Sequence, residues 1–223
     1  MITLHYLENS RAQRILWLLE ELGLQYEIKH YRRDPKTMLA PKELKEVHPL
    51  GKSPIITDGD ICMAESAAIV EYLIKTYGEG ELVPARNTKE FIKYRELMHY
   101  AEGSIMPFML LTLIFNKIKT APMFFLAKPI AKMIANKTFK NFITPNVKNH
   151  LDFLEAELTK HQWFAGEEMT GADFMMSFPI EAAAARTDLK KGYPKLNEFL
   201  ERIQSMPSYQ RALEKGLPYK LGS

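Results

Sequence analysis

Hydrophobic and polar residues alternate with two different periods over the first third of the chain. Residues 2–7 and 25–31 are apolar at about every second position, which predicts two strands. Between them, apolar residues three and four apart predict a helix that Ser10 opens and Gly23 closes. A short helix, two strands and a longer helix are predicted next, at residues 41–47, 54–57, 60–63 and 66–77.

The order of these elements, βαβ followed by αββα, predicts a mixed sheet with helices on its faces. Asp58-Gly59 separates the last two strands and is a strong signal for a tight hairpin. Residues 81–88 lack periodicity and contain proline and charge, which predicts a linker. From residue 89 to residue 223 the apolar spacing is helical throughout. The pattern therefore predicts an α/β domain over residues 1–80 and an all-α domain over residues 89–223.

One helix of the second domain has a clear start. Thr170 and Asp173 form a Thr-x-x-Asp capping box before the predicted helix at residues 172–186. Pro179 lies inside that helix, where proline costs about 3 kcal/mol in an isolated helix. Packing must therefore offset this cost.

Composition narrows the class of protein. With 46% hydrophobic residues the chain can bury a sizeable core, and its net charge of +3 gives no basis for nucleic-acid binding. Its single cysteine, Cys62, excludes an internal disulfide and fits a reducing compartment; we interpret it as a small core residue. The histidines show no metal-binding spacing. The N-terminus lacks the pattern of a signal peptide, so the expected location is the cytoplasm.

Residues 103–151 contain no Asp or Glu and seven lysines, and they are rich in Phe and Met. The longest apolar run, residues 105–115, is shorter than the ~20 residues of a membrane span. We interpret this stretch as an amphipathic helix pair with solvated lysines and a flexible apolar pocket lining. The alternatives are peripheral contact with an anionic membrane and steering of acidic ligands toward a cleft.

Three short segments of the first domain carry the candidate chemistry: Asn9-Ser10-Arg11, residues 51–54 and Glu65-Ser66. The predicted topology brings them to one edge of the sheet. Two of them open helices, and helix N-termini attract anions because their N–H groups are unpaired. Such an edge suits a ligand with a carboxylate at one point and a thiolate at another.

The whole chain resembles the glutathione S-transferase family. In the first domain the resemblance lies in SRAQRILWLLEELGLQYE, HPLGKSP and MAES, and in the second in HYAEGS, WFAGEEMTGADF and YPKLNEFLERIQSMPSYQRAL. It is strongest to a bacterial and fungal branch with a serine in the turn before the first helix. The resemblance implies a thioredoxin-like N-terminal domain, an all-helical C-terminal domain, glutathione as co-substrate and a homodimer.

The resemblance also implies a role for each segment. Ser66 is expected to bind the γ-glutamyl carboxylate of glutathione, and Glu65 its ammonium group. The main chain of Ser53 is expected to pair with the cysteinyl part as an added strand, next to a cis Pro54. Lys52 is expected to meet the glycyl carboxylate.

Activation of glutathione requires a thiolate. Lowering the pKa of a thiol by about 2 units from its usual value of about 8.5 takes roughly 2.7 kcal/mol. We predict that Ser10 donates a hydrogen bond to the thiolate. The alternatives are Asn9, which offers an amide donor, and Arg11, which offers a charge. Ser10 also fits a Ser-x-x-Gln capping box with Gln13, which would make it a helix cap only.

The function predicted from the resemblance is transfer of glutathione to small apolar electrophiles, reduction of organic peroxides by glutathione, or both. The electrophile pocket is expected between the domains, lined by His99, Met106 and Met109. The competing hypothesis is a non-catalytic module of the same fold that binds glutathione or a lipophilic ligand. No metal is expected in either case.

Overall fold

A computed structural model of the chain describes residues 1–221. The first domain contains β1 (Ile2–Leu7), α1 (Ala12–Glu21), β2 (Tyr26–Tyr31), α2 (Glu43–Val47), β3 (Ile55–Asp58), β4 (Ile61–Ala64) and α3 (Ser66–Tyr77). Its four strands form one sheet in the order β2-β1-β3-β4. β1 is parallel to β2 and antiparallel to β3, and β4 is antiparallel to β3. This arrangement confirms the predicted mixed, thioredoxin-like sheet.

The β3–β4 hairpin turns one residue later than predicted. Asp58 pairs with Ile61, so the two turn residues are Gly59 and Asp60. Gly59 has a φ of +56°, and a two-residue turn with glycine at its first central position is the type II′ turn that suits a hairpin. The glycine therefore marks the turn, and Asp58 belongs to the strand.

The second domain is built from helices, as predicted. It contains α4 (Lys89–Tyr100), a π-helical segment (Ala101–Ile105), α5 (Met106–Thr120), α6 (Ala127–Thr138), a second π-helical segment (Phe139–Ile143), α7 (Thr144–Lys160), α8 (Gly171–Arg186), α9 (Leu189–Gly192), α10 (Pro194–Ser205) and α11 (Pro207–Lys215).

Helices α4 and α5 are joined by the first π-helical segment into one helix of 32 residues, Lys89–Thr120. By length and composition alone this helix could cross a membrane, since an 18-residue window reaches a mean hydropathy of 1.3. In the structure it packs against α8, and Leu97, Met98, Ile105 and Met109 are fully buried. It is thus a core helix of the second domain.

Helix α1 lies between the two domains. Every residue from Ala12 to Glu20 is buried, because the sheet and α3 cover one side of the helix while α8 and α11 cover the other. The Trp17 ring lies 4.1 Å from the Phe174 ring, and its Nε1–H donates to Ser208 at 3.1 Å. Most of the buried apolar residues of both domains consequently form one continuous core, while Leu7, Tyr31, Leu44 and Ile55 form a second, smaller cluster.

Helix α8 begins with the predicted capping box. The Asp173 carboxylate accepts hydrogen bonds from Phe164 N–H at 3.0 Å, Thr170 N–H at 2.8 Å and the Thr170 hydroxyl at 3.1 Å. The helix continues through Pro179, which has no N–H to donate to the Met175 carbonyl. Arg14 Nη1 donates to that carbonyl instead, at 2.7 Å. A side chain of the first domain thus compensates for the proline.

Two sequence interpretations need correction. Cys62 is exposed in the edge strand β4 and donates to the Val47 carbonyl at 3.3 Å, so it is not a core residue. The interpretation of residues 103–151 as a pocket lining is wrong for α6 and its flanks, because large apolar side chains there are half or more exposed. These are Phe124, Phe125, Leu126, Ile130, Met133, Ile134 and Phe142.

Candidate active site at the sheet edge and interdomain cleft

The three candidate segments meet at one edge of the sheet. Ile55, the first residue of β3, pairs with His5 near the end of β1 and with Ala64 at the end of β4. Pro54 and Glu65 therefore flank the same end of the β3–β4 ladder, and the turn that follows Leu7 lies beside them. The topology places the predicted site residues together because all three segments leave the sheet at this edge.

Ser53 fastens this edge to β1. Its hydroxyl donates to the His5 carbonyl at 3.0 Å and accepts from the Leu7 N–H at 3.1 Å. The Ser53-Pro54 peptide bond is cis, which confirms the prediction. The main-chain N–H and carbonyl of Ser53 make no hydrogen bond within residues 1–221. They can therefore pair with an added peptide.

Ser10 is 5% exposed, and its hydroxyl proton already takes part in a hydrogen bond within the protein. The hydroxyl donates to the Leu7 carbonyl at 2.6 Å and accepts from the Ala12 N–H at 3.2 Å. The hydroxyl oxygens of Ser10 and Ser53 are 3.3 Å apart. The capping box with Gln13 is not formed, because the Gln13 side chain accepts from the Tyr6 hydroxyl at 2.8 Å. Ser10 holds the turn in shape.

Asn9 presents a free amide group to the cleft. Its φ of +49° lies in the left-handed region, which asparagine tolerates better than most residues. Its Oδ1 accepts from the Lys220 N–H at 2.6 Å, and this contact orients the amide. Nδ2 has no partner among the described residues, and Asn9 lines the interdomain cleft. It is therefore available as a donor.

Glu65 and Ser66 open helix α3. Glu65 is exposed and has a φ of +72°, a strained backbone conformation of the kind that clusters at functional sites. Ser66 is 3% exposed, and its hydroxyl makes no hydrogen bond within the described part of the chain. Lys52 is exposed one residue before Ser53. The helix end thus offers an acidic side chain and a hydroxyl donor side by side.

A partly buried charge cluster supports the first turn of α1 and was missed from the sequence. The Arg11 Nε–H is shared between the two carboxylate oxygens of Glu102, at 2.8 Å from each, and Arg14 Nη2 donates to the same carboxylate. Burial alone would raise the pKa of Glu102, but the two guanidinium groups outweigh burial and hold this pKa below its usual range. The cluster fixes Arg11 at the helix N-terminus.

The cleft beside this turn has a volume of about 290 Å³ and lies between the domains. Met106 lines it, as predicted. Met109 is fully buried behind it, and its carbonyl accepts from Arg186 Nη1 at 3.2 Å. His99 is exposed in the last turn of α4 and is not among the lining residues. The structure therefore brings one of the three predicted pocket residues to the cleft.

A thioredoxin-like domain with these polar groups at its sheet edge, joined to an all-helical domain across a cleft, defines the glutathione transferase class of protein. Residues 1–75 match the family model for the glutathione S-transferase N-terminal domain, and residues 133–207 match that for the C-terminal domain. The chain belongs to the glutathione S-transferase family.

Individual relatives agree along nearly the full length. The chain is 36% identical to glutathione S-transferase 3 of Schizosaccharomyces pombe, covering 96% of this chain and 88% of that protein. It is 34% identical to glutathione S-transferase 1 of Saccharomyces cerevisiae, covering 96% and 95%. A solved glutathione S-transferase from Actinobacillus pleuropneumoniae is 35% identical, with a TM-score of 0.81 over 99% of this chain and 94% of that one.

Proposed function

We propose that the protein is an enzyme that activates the thiol of glutathione and transfers it to small apolar electrophiles. The observation that carries the proposal is the convergence of Asn9, Ser53 and Ser66 at one sheet edge, beside a cleft whose lining combines apolar and cationic side chains. Each group is placed for one part of a γ-glutamyl peptide that carries a thiol.

Glutathione would lie along this edge. The hydroxyl of Ser66 and the N-terminus of α3 would bind the γ-glutamyl carboxylate, and Glu65 would bind the ammonium group. The unpaired main chain of Ser53 would hold the cysteinyl part as an added strand. Lys52, whose side chain is exposed, would meet the glycyl carboxylate.

Replacing Ser66 with Ala is expected to weaken glutathione binding by about 1.5–3 kcal/mol, the range for a hydrogen bond to a charged group. Isothermal titration calorimetry measures this change directly. Ser205→Ala is a matched control, because Ser205 is exposed at the end of α10 and its hydroxyl donates only to the Arg202 carbonyl. Equal affinities for the wild type and Ser66→Ala would remove Ser66 from the binding site.

We place Asn9 as the donor to the thiolate and Ser10 as a positioning residue. The Ser10 proton is held by the Leu7 carbonyl, whereas the Asn9 amide has hydrogens to give. The N-terminus of α1 and the guanidinium of Arg11 add positive charge near the same point. Together these groups favour the anion over the thiol.

The chemistry follows from the thiolate. Its sulfur forms a bond to an electrophilic carbon, the leaving group departs with the electron pair of the broken bond, and the thiol proton passes to solvent. With a hydroperoxide, the sulfur would attack an oxygen of the O–O bond, an alcohol would leave, and the sulfenic acid of glutathione would form. A second glutathione would then reduce this sulfenic acid to glutathione disulfide and water. A screen of both substrate types separates the two activities.

Replacing Asn9 with Gly is expected to raise the pKa of the bound glutathione thiol and to slow conjugation near neutral pH more than Ser10→Ala does. Glycine keeps the left-handed backbone without strain, so that the amide is the only group lost. Ultraviolet absorbance of the thiolate, titrated against pH, reports the pKa.

Asn87→Gly is the matched control for this test. Asn87 also has a left-handed backbone, with a φ of +67°, and it lies in the linker away from the cleft. A normal titration in Asn9→Gly, with an abnormal one in Ser10→Ala, would return the donor role to Ser10. Retention on glutathione resin without turnover of any electrophile or peroxide would instead favour the non-catalytic binding module.

We further propose a homodimer in which the first domain of one subunit contacts the helical domain of the other. Apolar residues stay exposed along the 32-residue helix, with Ile92 at 69% and Ile114 at 42%. Solution scattering at micromolar concentration is expected to give a dimer mass, and Ile92→Glu is expected to lower it. A monomer mass for the wild type would contradict the proposal.

A further inference from the structure

Positive charge dominates the lining of the interdomain cleft. Five cationic side chains line it and no acidic side chain does: Arg11, Arg33, Lys117, Arg186 and Lys220. The cations come from five different parts of the chain, namely the turn before α1, the loop after β2, helix α5, helix α8 and the tail after α11. The charge is thus a property of the cleft and not of one basic segment.

Most of this charge has no carboxylate partner. Arg11 is paired with Glu102, but the other four cations make no salt bridge within residues 1–221. The guanidinium of Arg33 donates to the Glu8 and Met38 carbonyls, at 3.2 and 3.1 Å. Arg33 and Arg186 are partly buried, whereas Lys117 and Lys220 are exposed. A partly buried cation without a salt bridge is costly, and a bound anion would relieve that cost.

Arg186 is the clearest anion-binding group among them. It lies at the end of α8 and makes one hydrogen bond, from Nη1 to the Met109 carbonyl. Its Nε is buried without a partner among the described residues. A guanidinium carries five N–H groups in a planar fork that matches a carboxylate. One of them joins α8 to α5 and the Nε–H is buried, so the three remaining N–H groups on Nη1 and Nη2 carry the capacity to bind an anion.

Apart from Asn9, the remaining lining is apolar and includes Met106, Leu110, Leu113 and Phe178. The carboxylates of glutathione are accounted for on the other domain, at Ser66 and Lys52. The cations of α5 and α8 therefore face the second substrate. We propose that this substrate is an electrophile with an apolar body and a carboxylate or similar acidic group, which Arg186 and Lys117 bind. The inference rests on the proposed transferase function and specifies its substrate class.

A matched substrate pair tests the proposal. 4-Chloro-3,5-dinitrobenzoate and its methyl ester react with glutathione in the same way: sulfur bonds to the ring carbon, and chloride leaves with the electron pair. Each kcat/KM is divided by the uncatalysed rate constant for the same compound, which corrects for the stronger activation by the ester. The acid is expected to be favoured about tenfold, and less so at high salt. An equal or greater value for the ester would overturn the proposal.

Variants assign the preference to residues. Lys117→Gln is expected to reduce the preference for the acid several-fold, and Lys119→Gln, two positions along α5 and outside the cleft, should leave it unchanged. Arg186→Lys should retain part of the preference that Arg186→Gln loses. A preference that persists in both Lys117→Gln and Arg186→Gln would overturn the assignment to these residues.

Binding without turnover separates this inference from the proposed function. Calorimetry with unreactive 3,5-dinitrobenzoate and 3,5-dinitrobenzamide, in the presence of glutathione, should show about tenfold tighter binding of the acid. Tighter binding without any catalysis would leave the anion site standing and refute only the transferase function. Catalysis of the ester together with equal binding of acid and amide would refute only the anion site.

Discussion

Replacing Asp173 with Ala is expected to lower the free energy of unfolding by about 3–5 kcal/mol. The Asp173 carboxylate is fully buried and accepts three hydrogen bonds, from the main chain of Phe164 and from the main chain and hydroxyl of Thr170. Alanine leaves all three donors without a partner in the core, and each unsatisfied donor costs about 1–3 kcal/mol. Urea-induced unfolding at a fixed protein concentration measures the loss.

Two further variants make this result interpretable. Asp173→Asn keeps an acceptor oxygen in the same place and should cost less than alanine. Asp188→Ala removes an exposed aspartate that is paired only with Lys191, and it should change stability by less than about 0.5 kcal/mol. A loss below about 1 kcal/mol in Asp173→Ala would show that the loop before α8 does not depend on this carboxylate.

Replacing Arg14 with Met is expected to cost about 3–5 kcal/mol of stability. Methionine keeps much of the packing, so that the loss comes from polar groups. The Glu102 carboxylate loses one of its two guanidinium partners, and the Met175 carbonyl, to which Pro179 cannot donate, loses the Arg14 donor. Unfolding in urea at neutral pH checks the size of the effect.

A double-mutant cycle isolates the contact with the proline. In Pro179→Ala the chain regains an N–H that can bond to the Met175 carbonyl, so Arg14→Met should cost about 1 kcal/mol less in that background. Pro207→Ala is the control, because Pro207 lies in the first turn of α11, where the missing N–H has no helical partner. Equal costs of Arg14→Met in all three backgrounds would refute the compensation.

The Arg14→Met variant should also unfold at a different pH when the protein is acidified. The folded pKa of Glu102 lies below its usual value of 4.5, so its contribution to stability is present above that pH and is lost as the pH falls through the folded value. Removing Arg14 removes one of the two guanidinium groups that lower the pKa of Glu102, and therefore raises this pKa. Acid unfolding of Arg14→Met is therefore expected to begin at a higher pH than that of the wild type.

Local patterns in the sequence predict the elements of the fold well. The period of two in β1 and β2, the glycine of the hairpin and the Thr170–Asp173 capping box each act within a few residues. Their outcome depends little on the rest of the chain. The one-residue shift of the hairpin arises because the pairing of Asp58 with Ile2 and Ile61 extends β3 up to the glycine.

The site was predictable only in part. Pro54, Glu65 and Ser66 stand out by resemblance, and the topology brings them together. The roles of Asn9 and Ser10 depend in part on contacts that no local pattern contains, since Asn9 is oriented by Lys220 and the Ser10 hydroxyl lies 3.3 Å from that of Ser53. Likewise, Arg14 looks like a solvent-facing helix residue until the second domain covers it. Long-range contacts decide the chemistry here.

The burial of α1 between the domains has a consequence for the order of events during synthesis. Trp17 is covered by Phe174 and by Tyr209 of α11, and both residues are synthesised long after α1. At typical translation rates about 10–40 s pass between the synthesis of α1 and that of α11, and the apolar outer face of α1 stays uncovered during this time. The first domain can therefore reach its final state only after α11 has emerged from the ribosome. A chain cut at the linker would leave the core exposed in both halves.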